Sequence, residues 1–428
     1  MKDQKTNFSC DLMIIGTGMA GMAAALFAAG KDIHTAQAGR AGQLIFASGL
    51  IDLLGVYPTE DGHIVENPWE AISRLSRDEP GHPYCRLKTD EIGAAIKYVL
   101  EFLGDTGYPH TFEPGKNILM PTPAGTIKPT YALPHTMAHG AGAMARKEPC
   151  VLLSFNGLKG FSSRQISSSL AELWPGLRPV KIDFPDARGE LHTEHMARSL
   201  ELRQNREKLI KLISPHLGNA ESVAIPAVLG ISRTLEVTED LGLGLGVPVF
   251  EIPTMLPGVT GLRLREKFEQ YLPEKGIHPF FQHTIKKAYH KPESGWIFEL
   301  QNSTFSCLVS ARAAVLCSGR FMGGGLHADR DGIREAIFGL PVAQPPDRTS
   351  WHHRELLHPG GHPVKRAGLN IDGQFRPVDK KGRVVYPDLF AAGSILSGHD
   401  WMRQKCGSGL AIATAYGAVN ACRNFLKM

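Results

Sequence analysis

Three groups of residues in this chain are spaced for chemistry. The first is Gly16-Thr17-Gly18-Met19-Ala20-Gly21, a Gly-x-Gly-x-x-Gly run. In such a run the first glycine permits a tight turn and the second lets main chain touch a pyrophosphate. The third lets helix and strand pack closely. The second group is Gly407-Ser408-Gly409-Leu410, small residues at the mouth of a C-terminal helix. Bare N–H groups and a positive dipole end there suit the partial negative charge that a reduced flavin ring gathers near its pyrimidine side. The third is SWHHRELLHPGGHPVKR (350–366), where His352, His353, Arg354, His358, His362, Lys365 and Arg366 offer bases and phosphate clamps. Histidine titrates near neutrality and so suits proton removal, and the cations beside it suit an anionic group. His399, Asp400 and Arg403 stand close by in sequence; Lys128 to Tyr131 and Arg320 are secondary anion-binding candidates.

These groups need particular elements to hold them. DLMII (11–15) predicts a strand, Gly16 to Gly21 a turn, and the following run to Ala29 a helix closed by Gly30. A second strand is expected from Ile33 to about Gln37. Dinucleotide sites usually end this strand in Asp or Glu to hold an adenosine ribose. Gln37 stands there instead, which fits a harmless change in a dinucleotide site equally with a mononucleotide or a weakened dinucleotide grip. Residues 61–250 lack strand–helix alternation and predict an inserted domain, with a strand at 151–155 and a long helix near Glu194 to Ile213. Strands near 278–290, 295–302 and 304–309 predict a β-meander. A buried strand, Ala313 to Cys317, then runs into Ser318-Gly319. DLFAAG (388–393) predicts a last short strand ending at Gly393-Ser394, before a helix from about Leu410 to Phe425. Two strand–glycine–helix motifs at opposite ends of the chain form the layout expected of a flavin laid across a doubly wound sheet.

Composition excludes several alternatives. Lys+Arg 47 against Asp+Glu 42 leaves a net charge of only +5, without a block of like charges, so a nucleic-acid binder is not expected. Glycine is in excess, 46 of 428 residues or about 11% against a usual ~7%. Seven cysteines, odd in number and without a C-x-x-C pair, predict neither a disulfide framework nor an iron–sulfur run. No metal site is expected, and a reducing cytoplasmic compartment is the default. Leu12 to Gly30 is uncharged and long enough to raise the question of a spanning helix, but Gly16, Gly18 and Gly21 interrupt it.

Several longer strings are distinctive. The chain resembles the B subunit of anaerobic glycerol-3-phosphate dehydrogenases, relatives of the fumarate-reductase-like flavoproteins. The resemblance rests on IIGTGMAG (14–21), ASGLIDLLG (47–55), TPAGTIKPTYALPHTM (122–137) and EPCVLLSFNGLKGFS (148–162). RAGLNIDGQFRP (366–377) and DLFAAGSILSGHD…CGSGLAIATA near the C-terminus add to it. It implies a quinone-linked oxidation of sn-glycerol 3-phosphate to dihydroxyacetone phosphate, with fumarate or nitrate as terminal acceptor. It also implies FMN as cofactor, in agreement with the missing acid at Gln37, with FAD as the alternative. An A-type subunit carrying FAD and an iron–sulfur C-type subunit would be partners, and would hold the chain peripherally at the inner face of the cell membrane. An electron-transfer or structural subunit without substrate chemistry, or another fumarate-reductase-like oxidoreductase, is the competing reading.

The expected fold is therefore α/β. A Rossmann-like flavin-binding domain with a β-meander comprises residues 1–60, 255–345 and 366–428. An inserted α+β cap for substrate or partner spans 61–254, and 346–365 is a further excursion. The expected cofactor contacts are Gly16, Thr17, Gly18, Met19, Ala20, Gly21, Gln37, Ser318, Gly319, Gly393, Ser394, Asp400, Gly407, Ser408, Gly409 and Leu410. Ser48 and Gly49 join them on motif position. Catalytic candidates are His352, His353, Arg354, His358 and His399.

Overall fold

The structure is a computed structural model that describes residues 6–40, 43–186 and 189–428. The chain divides into two compact units. The first comprises Met1–Leu44, Asp52–Val99 and Phe268–Met428; the second comprises Ile45–Ile51 and Leu100–Lys267.

The first unit is built on a seven-stranded sheet. Its strands are β1 (Thr6–Ile15), β2 (Thr35–Gly39), β3 (Ile277–Phe281), β4 (Thr284–Lys291), β5 (Gly295–Gln301), β6 (Ser306–Leu316) and β7 (Leu389–Ala391). The order is β3-β2-β1-β6-β5-β4, with β7 also pairing with β6. The pairs β3/β2, β2/β1, β1/β6 and β6/β7 are parallel; β6/β5 and β5/β4 are antiparallel. Helix α1 (Met19–Ala29) is buried from Ala20 to Ala28. Its all-round apolar composition is explained by cover on every side, since at 11 residues it is far too short to cross a bilayer. Phe27 meets Tyr416 edge to face at 5.2 Å on the C-terminal helix. No helix among the described residues is long and apolar enough to cross a membrane.

The meander differs in detail from the expected one. The segment 278–290 is split: β3 is a parallel edge strand, and only β4 enters the meander. The strands expected at 304–309 and 313–317 are one continuous strand, β6. Nothing in SCLVSARAAVL breaks an extended chain, and its two edges have different partners. Residues 306–311 pair with β5, while residues 307–316 pair with β1.

The second unit holds a four-stranded, wholly parallel sheet. Its order is Val249–Ile252, Ser222–Pro226, Cys150–Phe155 and Leu177–Ile182. The expected α+β insert is thus α/β in this part. Its strands 150–155, 222–226 and 249–252 are buried at every residue, so no alternation marks them in the sequence. The long helix expected near 194–213 is two, Thr193–Leu200 and Arg203–Ile213. Within this core Arg263 grips Glu251 through two bonds of 2.7 and 2.8 Å, both side chains being fully buried. Thr136 Oγ1 and the Leu229 amide also donate to Glu251. Burial alone would raise the Glu251 pKa, but Arg263 and these donors hold it below the usual carboxylate range.

The unit boundaries also differ from those expected. Residues 61–99 belong to the first unit, where the Tyr84 hydroxyl donates to the Leu53 carbonyl at 2.8 Å and Arg366 pairs with Glu79 at 2.8 Å. Residues 45–51 and 255–267 belong to the second. There the Gly258 amide donates to the Ile45 carbonyl and the Thr260 hydroxyl to that of Ala47. Arg263→Ala should destabilise the protein by about 3–5 kcal/mol in urea unfolding, because it strands a buried carboxylate. The double change Arg263→Met with Glu251→Leu should cost clearly less; an equal or larger loss would contradict the buried-charge account.

Candidate functional site

The N-terminal glycine run is shaped by the sheet beneath it. Gly16, at φ +127°, donates its amide to the Ala38 carbonyl at 2.7 Å, and a side chain there would collide with the Cys317 carbonyl. A Cβ on Gly21 would strike the Gly16 carbonyl, as expected for a helix packed onto its own turn. Gly18 differs: a Cβ there would meet nothing within 4 Å. Gly18 is the N-cap of α1 and no side chain caps the helix. Its mouth therefore offers an approach for phosphate oxygens onto main-chain amides beside Gly18, Met19 and Ala20. Thr17 is not free to join them, because its hydroxyl donates to the Arg40 carbonyl at 2.7 Å.

Gln37 lies fully buried on β2, with its amide nitrogen donating to the Gly16 carbonyl at 2.9 Å. Its Oε1 is buried and has no hydrogen-bond partner. An unpartnered acceptor at the position where an acid normally takes a ribose hydroxyl is a fit for such a hydroxyl.

The C-terminal motif meets the N-terminal one. The Ala392 amide donates to the Leu316 carbonyl, and the Gly393 amide to Thr414 Oγ1 at 2.9 Å. Gly393 has φ +81°, and a Cβ on it would lie 2.5 Å from Cβ of Ala20. The turn after β7 therefore rests directly on the first turn of α1. Ser318 and Gly319 follow β6 beside it. Ser318 Oγ is buried without a partner, and Gly319 at φ +71° faces Ser394 Oγ. Helix α2 (Trp401–Gln404) is capped by the Asp400 side chain, which accepts from the Arg403 amide. Asp400 thus shapes the loop. Helix α3 (Gly407–Leu426) lacks a side-chain cap, but its mouth is partly closed: the Gly409 amide donates to the Asp52 carbonyl at 2.8 Å, and Ser408 Oγ accepts from the Asp52 amide at 2.7 Å. Leu410 is buried behind them.

A buried polar cluster backs this loop. His399 is fully buried, and its Nε2 lies 3.1 Å from Arg320 Nη2. A guanidinium can only donate, so Nε2 accepts and the ring proton sits on Nδ1, which is buried without a partner. Burial, then Arg320 and His82, hold the His399 ring well below its usual pKa. Burial likewise pulls His82 down to about 3. Arg320 also donates to the carbonyls of Ser394 at 2.6 Å and Leu396 at 2.8 Å, and to that of Lys365. Burial lowers its own pKa to about 10. Read from sequence as an anion binder, it engages main chain instead.

The histidine-rich segment is placed differently. His352, His353 and Arg354 are exposed and His358 half-buried. The rings of His353 and His358 stack at 3.8 Å, and His362 Nδ1 accepts from the His353 amide. Arg403 ties the segment to α2 by donating to the His358 and Pro359 carbonyls. Ser48 and Gly49 lie in the second unit, where Gly49 (φ +81°) fits against Thr260 and Tyr108 and its carbonyl meets His110 Nε2 at 2.9 Å. Lys128 to Tyr131 are there too, partly in a short hairpin with 118–121. His82 and Gln404 were not foreseen; His82 reaches the loop only through tertiary contacts, whereas Gln404 is local to it, its Oε1 accepting from the Asp400 amide at 3.0 Å. All seven cysteines are free, and burial raises the Cys10 and Cys150 thiols to about 12. Among the described residues no group of His, Cys, Asp and Glu could hold a metal ion.

Residues 11–410 match the FAD binding domain family. The chain belongs to that family. It is also 30% identical over 425 residues to a Halobacterium salinarum protein named as the probable B subunit of an anaerobic glycerol-3-phosphate dehydrogenase, covering 96% of this chain and 97% of the relative. A Vibrio cholerae protein named as the B subunit of an anaerobic glycerol-3-phosphate dehydrogenase is 29% identical, with 96% of this chain and 95% of the relative covered. By these matches the chain is a member of the B-subunit family. Among solved structures, a 3-ketosteroid delta1-dehydrogenase of Sterolibacterium denitrificans aligns at a TM-score of 0.45 and 10% identity, over 97% of this chain and 100% of that one, too distant to carry residues across. The family match supports a flavin; it does not support FMN as the first choice, and FAD fits it.

Two outcomes follow from this geometry. Gly18→Ala should leave the melting temperature of the cofactor-free protein unchanged while flavin retention, read by absorbance, falls at least about tenfold. Gly393→Ala should lower the melting temperature itself. The unfolded state binds protons on His82 and His399 below about pH 6.5, where the folded state refuses them. Stability should therefore fall as pH drops through that value, by about 1.4 kcal/mol per pH unit for each buried histidine. Urea midpoints at about pH 7 and about pH 5 check this, with a shallower slope expected for His82→Gln.

Proposed function

We propose that this chain is the B-type flavoprotein subunit of an anaerobic, quinone-linked glycerol-3-phosphate dehydrogenase. It would hold FAD and serve the oxidation of sn-glycerol 3-phosphate to dihydroxyacetone phosphate, with fumarate or nitrate as terminal acceptor. The observation that carries this is the seating of Gly393 on Ala20, which joins the two glycine motifs beside unpartnered polar atoms. The names of the relatives supply the substrate. When bound, the flavin accepts the hydride equivalent of an alcohol oxidation.

The chain's own residues would act as follows. Amides at the mouth of α1, from Gly18 to Gly21, bind the pyrophosphate. Gln37 Oε1 accepts from the ribose, which favours FAD over FMN. Ser318, Gly319, Gly393 and Ser394 would line the cradle, and the positive dipole end of α3 would favour negative charge gathered on a reduced flavin. His399, neutral and with its proton held on Nδ1, donates a hydrogen bond. We leave His352, His353, Arg354 and His358 outside the chemistry, because they are turned to solvent and to one another. The partners would be an A-type flavoprotein and an iron–sulfur C-type subunit, which keep the chain peripherally at the membrane.

A specific observation favours a second reading, an electron-transfer subunit without substrate chemistry of its own. Arg320, Arg366 and Arg403, the arginines beside the C-terminal loop, are engaged with carbonyls or with Glu79. Acid release and chromatography should identify FAD; release of FMN overturns that assignment. Anaerobic addition of sn-glycerol 3-phosphate to the flavin-loaded chain should bleach it if this chain is catalytic alone. Failure to bleach, with dithionite still reducing the flavin, selects the electron-transfer reading.

A further inference from the structure

Three fully buried side chains beside the C-terminal loop carry hydrogens for which the chain supplies no acceptor. Their proton positions follow from their bonded ends. His82 Nδ1 accepts from the Tyr84 amide at 3.2 Å, so its ring proton sits on Nε2. His399 Nε2 accepts from Arg320, which leaves its proton on Nδ1. Gln404 Oε1 accepts from the Asp400 amide at 3.0 Å, so the amide nitrogen is its unbonded end. His82 Nε2, His399 Nδ1 and Gln404 Nε2 are all buried without a partner. The three side chains are neighbours: the two rings stand 6.1 Å apart, edge to face, and Gln404 lies beside His82. Gly398, at φ +82°, permits this approach, because a Cβ on it would lie 2.5 Å from the Gly81 carbonyl oxygen.

We propose that His82, His399 and Gln404 form a buried halide site that holds one chloride ion. Leaving such donors unsatisfied costs about 1–3 kcal/mol each, and folded proteins rarely group them. With a hydrogen on every unbonded end, the donor pattern selects the occupant. A water molecule would bring two hydrogens of its own to a place that offers nothing to receive them, whereas a halide only accepts. Charge points the same way. Beyond burial, the charges acting on the rings are guanidiniums, Arg366 on His82 and Arg320 with Arg366 on His399, and no carboxylate is among them. The nearby carboxylates are engaged elsewhere: Glu79 pairs with Arg366 at 2.8 Å, Asp400 caps α2, and Asp52 and Asp400 act on the Cys406 thiol. Rings only 6.1 Å apart and fully buried suit a single-atom anion rather than a phosphate. The site depends neither on which flavin is bound nor on the substrate.

The test is a crystal of the full, flavin-loaded chain grown or soaked in sodium bromide, with data collected at the bromine absorption edge. An anomalous peak should stand within hydrogen-bond reach of His82 Nε2, His399 Nδ1 and Gln404 Nε2. In solution, each tenfold rise in chloride beyond half-filling should raise the thermal midpoint by about 3 °C, and sodium gluconate at equal ionic strength should not. Gln404→Glu keeps the oxygen that receives the Asp400 amide and turns the unbonded end into an acceptor. It should abolish both the peak and the chloride-specific shift. No peak at this place in the unaltered protein, a water or a four-oxygen group there instead, or equal stabilisation by gluconate would each overturn the proposal. So would a chloride response that Gln404→Glu leaves intact. The bromide peak is read without any substitution, so the proposal stays testable even if the variant does not fold.

Discussion

The contact between Gly393 and Ala20 sets the organisation of the first unit. It needs a residue without a Cβ in a left-handed conformation, and it needs that residue's amide bonded to Thr414 on the helix that follows. Strand β6 makes this possible by lying between β1 and β7 and pairing in parallel with both. Parallel pairing sends all three strands out at the same sheet edge. Their trailing turns, Gly16, Ser318 and Gly393, therefore emerge side by side, as ligand sites at the carboxyl ends of α/β sheets do.

Close packing of main chain leaves polar groups unpaired in several parts of the molecule, and some of them lie near these turns. Gln37 Oε1, Ser318 Oγ and His399 Nδ1 are all buried without partners. Leaving such atoms unsatisfied costs about 1–3 kcal/mol each. A polar ligand that satisfies them would bind and stabilise the fold by the same interactions, which links cofactor loading to stability. Arg320 contributes differently. By donating to the carbonyls of Ser394 and Leu396 and to the His399 ring, it fixes both the path of the C-terminal loop and the tautomer of its histidine.

The second unit is governed by a different balance. Its parallel sheet and the fully buried Glu251–Arg263 pair form a self-contained core, with the carboxylate also taking bonds from Thr136 and Leu229. Such a pair gains little over apolar packing, but it penalises any register that would separate its members.

What the sequence by itself determined is local. Glycine spacing within a few residues of a strand end specifies a turn and a helix mouth, so both glycine motifs, α1 to its Gly30 cap, and α3 were legible, as was the family resemblance. Tertiary structure decided what depended on distant partners. Whether 304–317 was one strand or two depended on β1 and β5 pairing along its opposite edges, and the parallel sheet of the second unit was hidden because wholly buried strands carry no alternation. The roles of Arg320 and His399 were decided the same way: a cation binds whatever acceptors the fold brings to it, and here these were carbonyls from residues 365, 394 and 396. The histidine-rich segment was rich in chemistry on paper, but side-chain type states only what a group can do; burial and neighbours determine whether it is placed to do it.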